Sequence, residues 1–416
     1  STGPEPSPSG HTPSRRGIMS RHFAFVSMPA HGHVNPTLPL VTELVRRGHR
    51  VSYATGATML ETVRAAGADP VEVPFRMPDG PPPMTGDAPA DPQDTARRMQ
   101  AFATSVEDTF PVLTELFGAD RPDALCGDVM SPVTGLVAQQ LTLPHVALNP
   151  SFANNEHFDL RRDVLGDSPA AAAAKEAFGA LGERIATFAR SRGLRHDASS
   201  FGAPGELNLV FIPRGFQPAG DTFDDSFVFL GPSVRGRGGD AGWEPRDPDA
   251  PLLLVSLGTV FNARPDFFRL CADAFGGTRW QVVMAVGDRI DPTGIGDLPD
   301  NVEVHAHVPQ VRVLERADAF VTHNGMNSTM EALYLGVPQV GVPQMPEQDM
   351  NARRVQELGC GRRLDPDTID ARTLTETVDA VAGDPEVRAG CERLSRELQA
   401  GDGPAAGADA LEKLVS

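Results

Sequence analysis

Short apolar runs alternate with amphipathic segments along most of this chain. The run His22–Met28 is followed by a turn rich in Pro, Gly and His, and then by apolar residues at helical spacing between Leu38 and Val45. Two further apolar runs, Val51–Ala54 and Val71–Phe75, enclose a helical segment. Because strands that alternate with helices form parallel βαβ units, the first half is predicted to be a doubly wound α/β sheet.

The same alternation continues through the first half. Pro, Gly and Asp are dense from Pro78 to Pro92, which predicts a long surface loop before a helix at Asp94–Phe117. The remaining elements predicted in this half are strands at Ala124–Asp128, His145–Leu148 and Leu207–Ile212 and helices at Pro132–Leu141 and 169–192.

A second half restarts the pattern after a segment rich in Gly, Pro and Asp. Each half begins with an apolar strand that leads into a loop of small residues, so we predict two Rossmann-like sheets facing a central cleft, where ligands bind at the carboxyl ends of the strands. The predicted organisation is a disordered tail (1–20), a first domain (21–231), a linker (232–250) and a second domain (251–416) whose last helix is a candidate to pack back on the first. The predicted elements of the second half are strands at Leu252–Leu257, Gln281–Val286, Val302–His305, Ala319–Thr322 and Gln339–Val342 and helices at Pro265–Ala274 and from about Asn327.

Composition narrows the class of partner. The 416 residues suffice for two hydrophobic cores. The composition, with 40% apolar and 22% charged residues, is typical of a globular protein. The net charge of −18 would repel nucleic acid and anionic membranes. Neither a run of 18 apolar residues nor an apolar leader is present, so we expect no stable membrane insertion and a cytoplasmic location. Four widely spaced cysteines suggest neither a zinc site nor a disulfide framework.

A polar cluster follows the predicted strand that ends at Thr322. A tight turn opens a helix at Asn327 and Ser328, and both residue types suit an N-cap, whereas capping does not explain His323. Free backbone N–H groups, polar side chains and an imidazole at a helix start favour a diphosphate site. Farther on, Glu347 and Gln348 are predicted in a loop that opens the next helix, where they suit either sugar hydroxyls or helix capping.

The segment His305–Ala352 resembles the donor-binding box of the UDP-dependent GT-B glycosyltransferases, the family that includes plant secondary-metabolite and bacterial macrolide enzymes. In that family the box opens with Trp-x-Pro-Gln, whose ring stacks on the base, but here it reads His307-Val308-Pro309-Gln310. Imidazole stacks with less area than indole, so uridine and thymidine donors both stay open. The resemblance implies a GT-B fold with an acceptor-binding first domain and a nucleotide-sugar-binding second domain.

The resemblance also assigns roles to single positions. The turn Ser256–Thr259 is similar to a phosphate-contacting loop of the family. Carried over position by position, the implied donor site comprises His307 and Val308 at the base, Gln310 and Glu331 at the ribose, Thr259, His323, Gly325, Asn327 and Ser328 at the diphosphate, and Glu347 and Gln348 at the sugar.

Two histidines flank a glycine after the first predicted strand, where an imidazole can accept a proton near neutral pH. The run Gly32-His33-Val34-Asn35-Pro36 resembles the family's catalytic loop, which gives the role of general base to His33 rather than His31. Asp128, at the end of another strand of the same sheet, resembles the carboxylate that orients this base. By itself, an Asp at that place is more often a cap or turn residue.

These roles imply an inverting single displacement that uses no metal and no cofactor beyond the nucleotide sugar. Asp247-Pro248-Asp249 and Asp365-Pro366-Asp367 have the spacing of metal-binding DxD motifs, but we expect them in the linker and in a turn. The first expectation is transfer of glucose from UDP-glucose to a hydrophobic macrolide or polyketide, by a monomer or homodimer. The alternatives are a dTDP-deoxysugar transferase, a nucleotide-sugar epimerase, which would need carboxylate bases at the sugar, and a non-catalytic donor-binding protein.

Overall fold

A computed structural model describes residues 19–75, 92–165, 169–198, 204–232, 234, 242–259 and 262–416. Most of the predicted tail and of the Pro78–Pro92 loop, and part of the predicted linker, lie outside these ranges. The described chain folds into two all-parallel sheets covered by helices. None of the helices in the described ranges is long and apolar enough to cross a membrane.

The first half contains a seven-stranded sheet. In chain order its elements are β1 (His22–Val26), α1 (His31–Val34), α2 (Leu38–Arg46), β2 (Arg50–Thr55), α3 (Leu60–Ala65), β3 (Asp69–Glu72), α4 (Pro92–Ala119), β4 (Ala124–Asp128), α5 (Val133–Leu141), β5 (His145–Asn149), α6 (Leu160–Leu165), α7 (Pro169–Arg190), β6 (Leu207–Val210) and β7 (Phe227–Phe229).

The second half contains a six-stranded sheet. Its elements are β8 (Leu252–Ser256), α8 (Pro265–Phe275), β9 (Gln281–Ala285), β10 (Val302–His305), α9 (Gln310–Leu314), β11 (Ala319–Thr322), α10 (Met326–Leu335), β12 (Gln339–Gly341), α11 (Pro346–Glu357), β13 (Gly361–Arg363), α12 (Ala371–Gly383), α13 (Pro385–Ala400) and α14 (Gly403–Leu414).

The strand order places a reversal at the centre of each sheet. The orders are β3-β2-β1-β4-β5-β6-β7 and β10-β9-β8-β11-β12-β13. Successive strands are therefore added toward one edge of the sheet as far as β3 or β10, and toward the other edge from β4 or β11 onward, so the switch points lie between β1 and β4 and between β8 and β11. Ligands of open α/β sheets bind beyond the carboxyl ends of the strands at such switch points. Two candidate sites are thereby defined, one in each half.

Burial explains why the strands could be recognised from sequence. All five residues of β1, β4 and β8 are buried, because helices cover both faces of a parallel sheet and the strands read as continuous apolar runs. The strands at the edges of the sheets, and several helices, were predicted less well. The predicted strand Val71–Phe75 is displaced, since β3 ends at Glu72. The three-residue strands β7 and β13 and the helices α6, α9, α12 and α13 were not predicted.

The last helix of the chain, α14, packs against α2, β6 and β7 of the first half. The guanidinium of Arg47 donates to Asp409 at 2.6 Å and to Glu412 at 3.1 Å, and the imidazole of His49 lies 2.8 Å from Glu412. The end of the second half is therefore tied to the first sheet by charged contacts.

A second contact joins the halves beside the cleft. Arg354 on α11 donates to the backbone carbonyls of Gly215 and Phe216, at 2.6 and 3.1 Å. Helix α6 also packs against α11. These contacts join α11 to the first half.

Candidate functional site

An imidazole and a carboxylate meet at the switch point of the first sheet. His33 lies in α1, directly after β1, and Asp128 is the last residue of the neighbouring strand β4. The His33 Nδ1 is 2.5 Å from Asp128 Oδ2, and Asp128 Oδ1 accepts the backbone N–H of Met130 at 2.7 Å. Since Nδ1 is engaged, Nε2 is the ring atom left to accept a proton from a bound molecule.

The surroundings of His33 make it a stronger base. Burial acts to lower the pKa of this imidazole, but the charge and hydrogen bond of Asp128 and the charge of Glu347 outweigh it, so the pKa is raised. Glu347 belongs to the second half of the chain. Its carboxylate accepts a hydrogen bond from Ser151, just after β5 and so beside β4, which puts the first turn of α11 at the same edge of the first sheet as Asp128.

The switch point of the second sheet carries an open helix start. The N-cap of α10 is Gly325, which provides no side-chain cap, and the first intrahelical bond is from the Thr329 N–H to the Gly325 carbonyl at 2.9 Å. Asn327 and Ser328 are therefore inside the first turn, and the capping explanation for them is wrong. The N–H groups of this turn have no intrahelical acceptor, which suits an anion.

His323 lies between two glycines at this helix start. A Cβ on Gly258 would approach the His323 Nε2 to 2.5 Å, and one on Gly325 would collide with the same atom. Gly258 also has a φ of +76°, and the exposed Thr259 follows it. Burial lowers the pKa of His323 to about 4, although the Ser256 carbonyl acts in the opposite direction, so the ring is neutral at pH 7. Its Nδ1 is buried without a hydrogen-bond partner.

The residues assigned to the ribose and the base occupy one side of α10. Gln310 Nε2 donates to Glu331 Oε2 at 2.7 Å and to Ser328 Oγ at 3.1 Å, so these three side chains lie together. Val308 packs against the core near β11. His307 has a 60% exposed side chain whose Nε2 is 2.6 Å from Asp288, leaving a ring face open to solvent.

The two residues assigned to the sugar lie in a helix, so their predicted loop position is wrong. Glu347 and Gln348 belong to the first turn of α11. Glu347 Oε1 accepts from the Ser151 hydroxyl at 2.7 Å, across the cleft, and Gln348 Oε1 accepts the Gln344 N–H at 2.8 Å. The second oxygen of Glu347 and the amide nitrogen of Gln348 remain for another molecule.

Two neighbours of this site were missed by the sequence analysis. Ser151 follows Asn149-Pro150 at the carboxyl end of β5, and the strand-end rule that singled out Asp128 could have found it. Asp288 follows Gly287 after β9, but no local pattern links it to His307, 19 positions away.

A small recess lies between α4 and the loop that follows Asp128. It has a cavity volume of about 10 Å³, close to that needed for one water, and its walls include Met28, Phe102 and Met130. The hydroxyls of Thr109 and Ser131, which also line it, are buried without hydrogen-bond partners. The recess therefore has room for a single water-sized polar group beside these two hydroxyls.

The two DxD-like motifs have local structural roles. Asp247 Oδ1 accepts the N–H of Asp249, and Asp365 Oδ1 accepts the N–H of Asp367, each at 3.0 Å. Such contacts are typical of Asx turns. In the described part of the chain, no three His, Cys, Asp or Glu side chains are grouped as metal ligands.

Two Rossmann-like sheets, with a His–Asp pair at one switch point and an uncapped helix start at the other, have the architecture of the GT-B glycosyltransferases. A family model for the C-terminal domain of erythromycin biosynthesis protein CIII-like proteins matches residues 272–414. The NDP-glycosyltransferase YjiC of Bacillus licheniformis is 37% identical, covering 95% of this chain and 98% of the relative. The demethyllactenocin mycarosyltransferase of Streptomyces fradiae is 36% identical, covering 97% and 88%. Among solved structures, the calicheamicin glycosyltransferase CalG4 has a TM-score of 0.79 at 34% identity, covering 95% and 98%.

The chain belongs to the GT-B family of natural-product glycosyltransferases. The predicted fold class and enzyme class are thereby confirmed. Both curated relatives are named as glycosyl-group transferases, and one of them as an NDP-glycosyltransferase, so the epimerase and non-catalytic alternatives lose their support.

Proposed function

We propose that this enzyme transfers a hexose, with glucose from UDP-glucose as the first candidate, to a hydroxyl of a hydrophobic macrolide- or polyketide-like acceptor. The observation that carries the proposal is the meeting of the two halves at Glu347, whose charge reaches His33 and whose Oε1 accepts from Ser151. The base and the sugar-binding turn therefore face one shared space.

The proposed reaction is a single displacement. The acceptor oxygen forms a bond to the anomeric carbon as His33 Nε2 takes its proton, and the bond from that carbon to the diphosphate oxygen breaks. The electron pair leaves with the diphosphate, and the configuration at the anomeric carbon inverts. Asp128 balances the charge that develops on the imidazole, a function that a paired carboxylate performs in other His-dependent enzymes.

The leaving diphosphate needs stabilisation without a metal ion in this proposal. In this proposal the amides at the start of α10, the neutral His323 and the hydroxyl of Thr259 bind the diphosphate. Donors aimed at a developing negative charge in a site with little water can supply a large part of a rate enhancement.

The acceptor is expected beside the dyad in the first half. The recess bounded by Met28, Phe102 and Met130 is apolar, and Thr109 and Ser131 offer it two hydroxyls. The recess is too small to hold the acceptor itself, so in this proposal the acceptor lies over the carboxyl end of the first sheet, with its reacting hydroxyl at His33.

One experiment tests the reaction and its stereochemistry. Purified enzyme is incubated with UDP-glucose and 2-naphthol, with and without EDTA, and the product is analysed by mass spectrometry and NMR. We expect a β-glucoside in equal yield under both conditions. An α-glucoside would exclude inversion, and loss of product with EDTA would exclude metal independence.

A dTDP-deoxysugar donor is the second candidate. Its support is the imidazole of His307 at the position of the family's base-stacking Trp and the 36% identity to a mycarosyltransferase. Competition of UDP and dTDP against the same transfer assay separates the two candidates, because the preferred base binds more tightly.

A further inference from the structure

A fully buried residue of the diphosphate-binding loop has an unfavourable backbone conformation. Asn324, which follows His323, has a φ of +56° and is 0% exposed. Residues other than glycine rarely adopt this left-handed region of backbone conformation, because it is strained for them. Backbone strain of this kind tends to persist where the surrounding structure holds a functional geometry.

Hydrogen bonds to four elements, β11, α10, β12 and α11, hold Asn324 in place. Its N–H donates to Thr322 Oγ1 at 3.1 Å, and its side-chain amide donates to Gln339 Oε1 at 2.8 Å and to Thr329 Oγ1 at 3.3 Å. Its backbone carbonyl accepts from Asn351 Nδ2 at 2.8 Å. The last of these bonds is the one that reaches α11.

Asn351 occupies a distinctive place on α11. It lies four residues after Glu347 and three after Gln348, a spacing that puts all three on neighbouring positions of one helix face. Asn351 is 0% exposed, and its Oδ1 has no hydrogen-bond partner, so only its donor side is used. The single bond from this donor connects the helix that carries the sugar-binding turn to the loop that carries His323.

We propose that Asn351 is a positioning residue that fixes the sugar-binding turn of α11 relative to the diphosphate-binding loop. This inference rests on the proposed function of both segments. A nucleotide sugar presents its diphosphate and its sugar at a fixed separation. An enzyme that distinguishes sugars must therefore hold the residues that bind the diphosphate and those that bind the sugar at a matching separation. The bond from Asn351 to the Asn324 carbonyl provides that link within the protein.

The test uses Asn351→Ala in the full-length enzyme with UDP-glucose, UDP-galactose and 2-naphthol. We expect kcat with UDP-glucose to fall about tenfold and the glucose-to-galactose ratio of kcat/KM to move at least about fivefold toward unity. The dissociation constant of UDP alone should change less than about threefold, because Gln339 and Thr322 still hold the loop. An unchanged ratio accompanied by a lower Tm would overturn the proposal and show a purely structural role.

Two further variants separate positioning from loss of stability. Asn324→Gly relieves the left-handed backbone strain and keeps the carbonyl that Asn351 binds, but it removes the side-chain bonds to Gln339 and Thr329. We therefore expect a lower Tm, with the sugar ratio within about twofold of wild type. A shift as large as that of Asn351→Ala would contradict the assignment. Asn208 is a matched control, since it is 1% exposed and bonds the backbone of Gly205 and Ser226 in the first half. Asn208→Ala should lower Tm without moving the ratio.

The same measurements distinguish this inference from the proposed function. Should wild-type enzyme prefer thymidine donors, dTDP-glucose and dTDP-galactose replace the uridine pair. Absence of transfer by the wild type from all four donors would refute the proposed function. Transfer by the wild type with an unaltered sugar ratio in Asn351→Ala would refute only the positioning role.

Discussion

Two histidines at the two switch points are given opposite properties by their surroundings. His33 pairs with Asp128 and is acted on by Glu347, which raises its pKa despite burial. His323 is enclosed between two glycines, and burial lowers its pKa to about 4. One imidazole is therefore suited to take a proton, and the other is held as a neutral hydrogen-bonding group. The difference lies in the neighbouring carboxylates, Asp128 above all, and not in the residue type.

The largest expected effect comes from removing the base. His33→Ala should lower kcat by about 10²- to 10⁴-fold, the usual contribution of general base catalysis. The dissociation constant of the nucleotide-sugar donor, measured by calorimetry, should be close to wild type. His31→Ala is the matched control, since His31 is exposed two residues away and should keep most of its activity. Equal losses in the two variants would show that His33 is not the base.

Replacing the carboxylate tests the origin of the difference between the two imidazoles. Asp128→Asn keeps the shape of the dyad but removes its charge, and kcat should fall by roughly 10²- to 10³-fold. Asp128 raises the pKa of His33, and the base must be unprotonated to act, so activity is lost as pH falls through that pKa. Without the charge the pKa falls, and the acid limb of kcat/KM against pH should move to lower pH. A limb that stays or moves upward would refute this account.

The two histidines also differ in how far sequence alone could define them. His33 follows a buried apolar strand, and β4 has the bounds that its apolar run predicts, so the pairing of His33 with Asp128 follows from two adjacent strand ends. The environment of His323 depends on Gly258, 65 positions earlier, and on the left-handed Asn324, which no periodic pattern reveals.

Contacts between the halves were the least predictable part of the site. Ser151 and Glu347 are 196 positions apart, and each looks locally like an ordinary turn or first-turn residue. Their meeting depends on how two sheets pack across a cleft, which is set by the sum of many contacts such as those of Arg354. Sequence motifs could indicate the chemistry of each half, but not which side chains join them.

His323 should respond to mutation without any change in pH dependence. His323→Ala removes one neutral donor at the diphosphate and should lower kcat by about 10- to 100-fold. Because the pKa of His323 is about 4, the position of the acid limb above pH 5 should not change. His145 is a matched control, since burial also lowers its pKa to about 4 but it lies outside the site. His145→Ala should affect Tm more than kcat, and a moved acid limb in His323→Ala would contradict the neutral role.

The smallest expected effect concerns the bond that joins the two regions. Ser151→Ala removes the hydroxyl that donates to Glu347 Oε1, and loss of one such bond should lower kcat/KM for the donor by about three- to tenfold. Ser151→Thr keeps a hydroxyl at that place and should restore most of the loss. Ser226 donates to the exposed Asp224 at 2.6 Å within the first half, so Ser226→Ala is a control with the same pair of groups away from the cleft. If Ser151→Ala behaves like this control, the bond across the cleft makes no contribution to transfer, and the base and the sugar-binding turn are aligned by the remaining contacts of α11 alone.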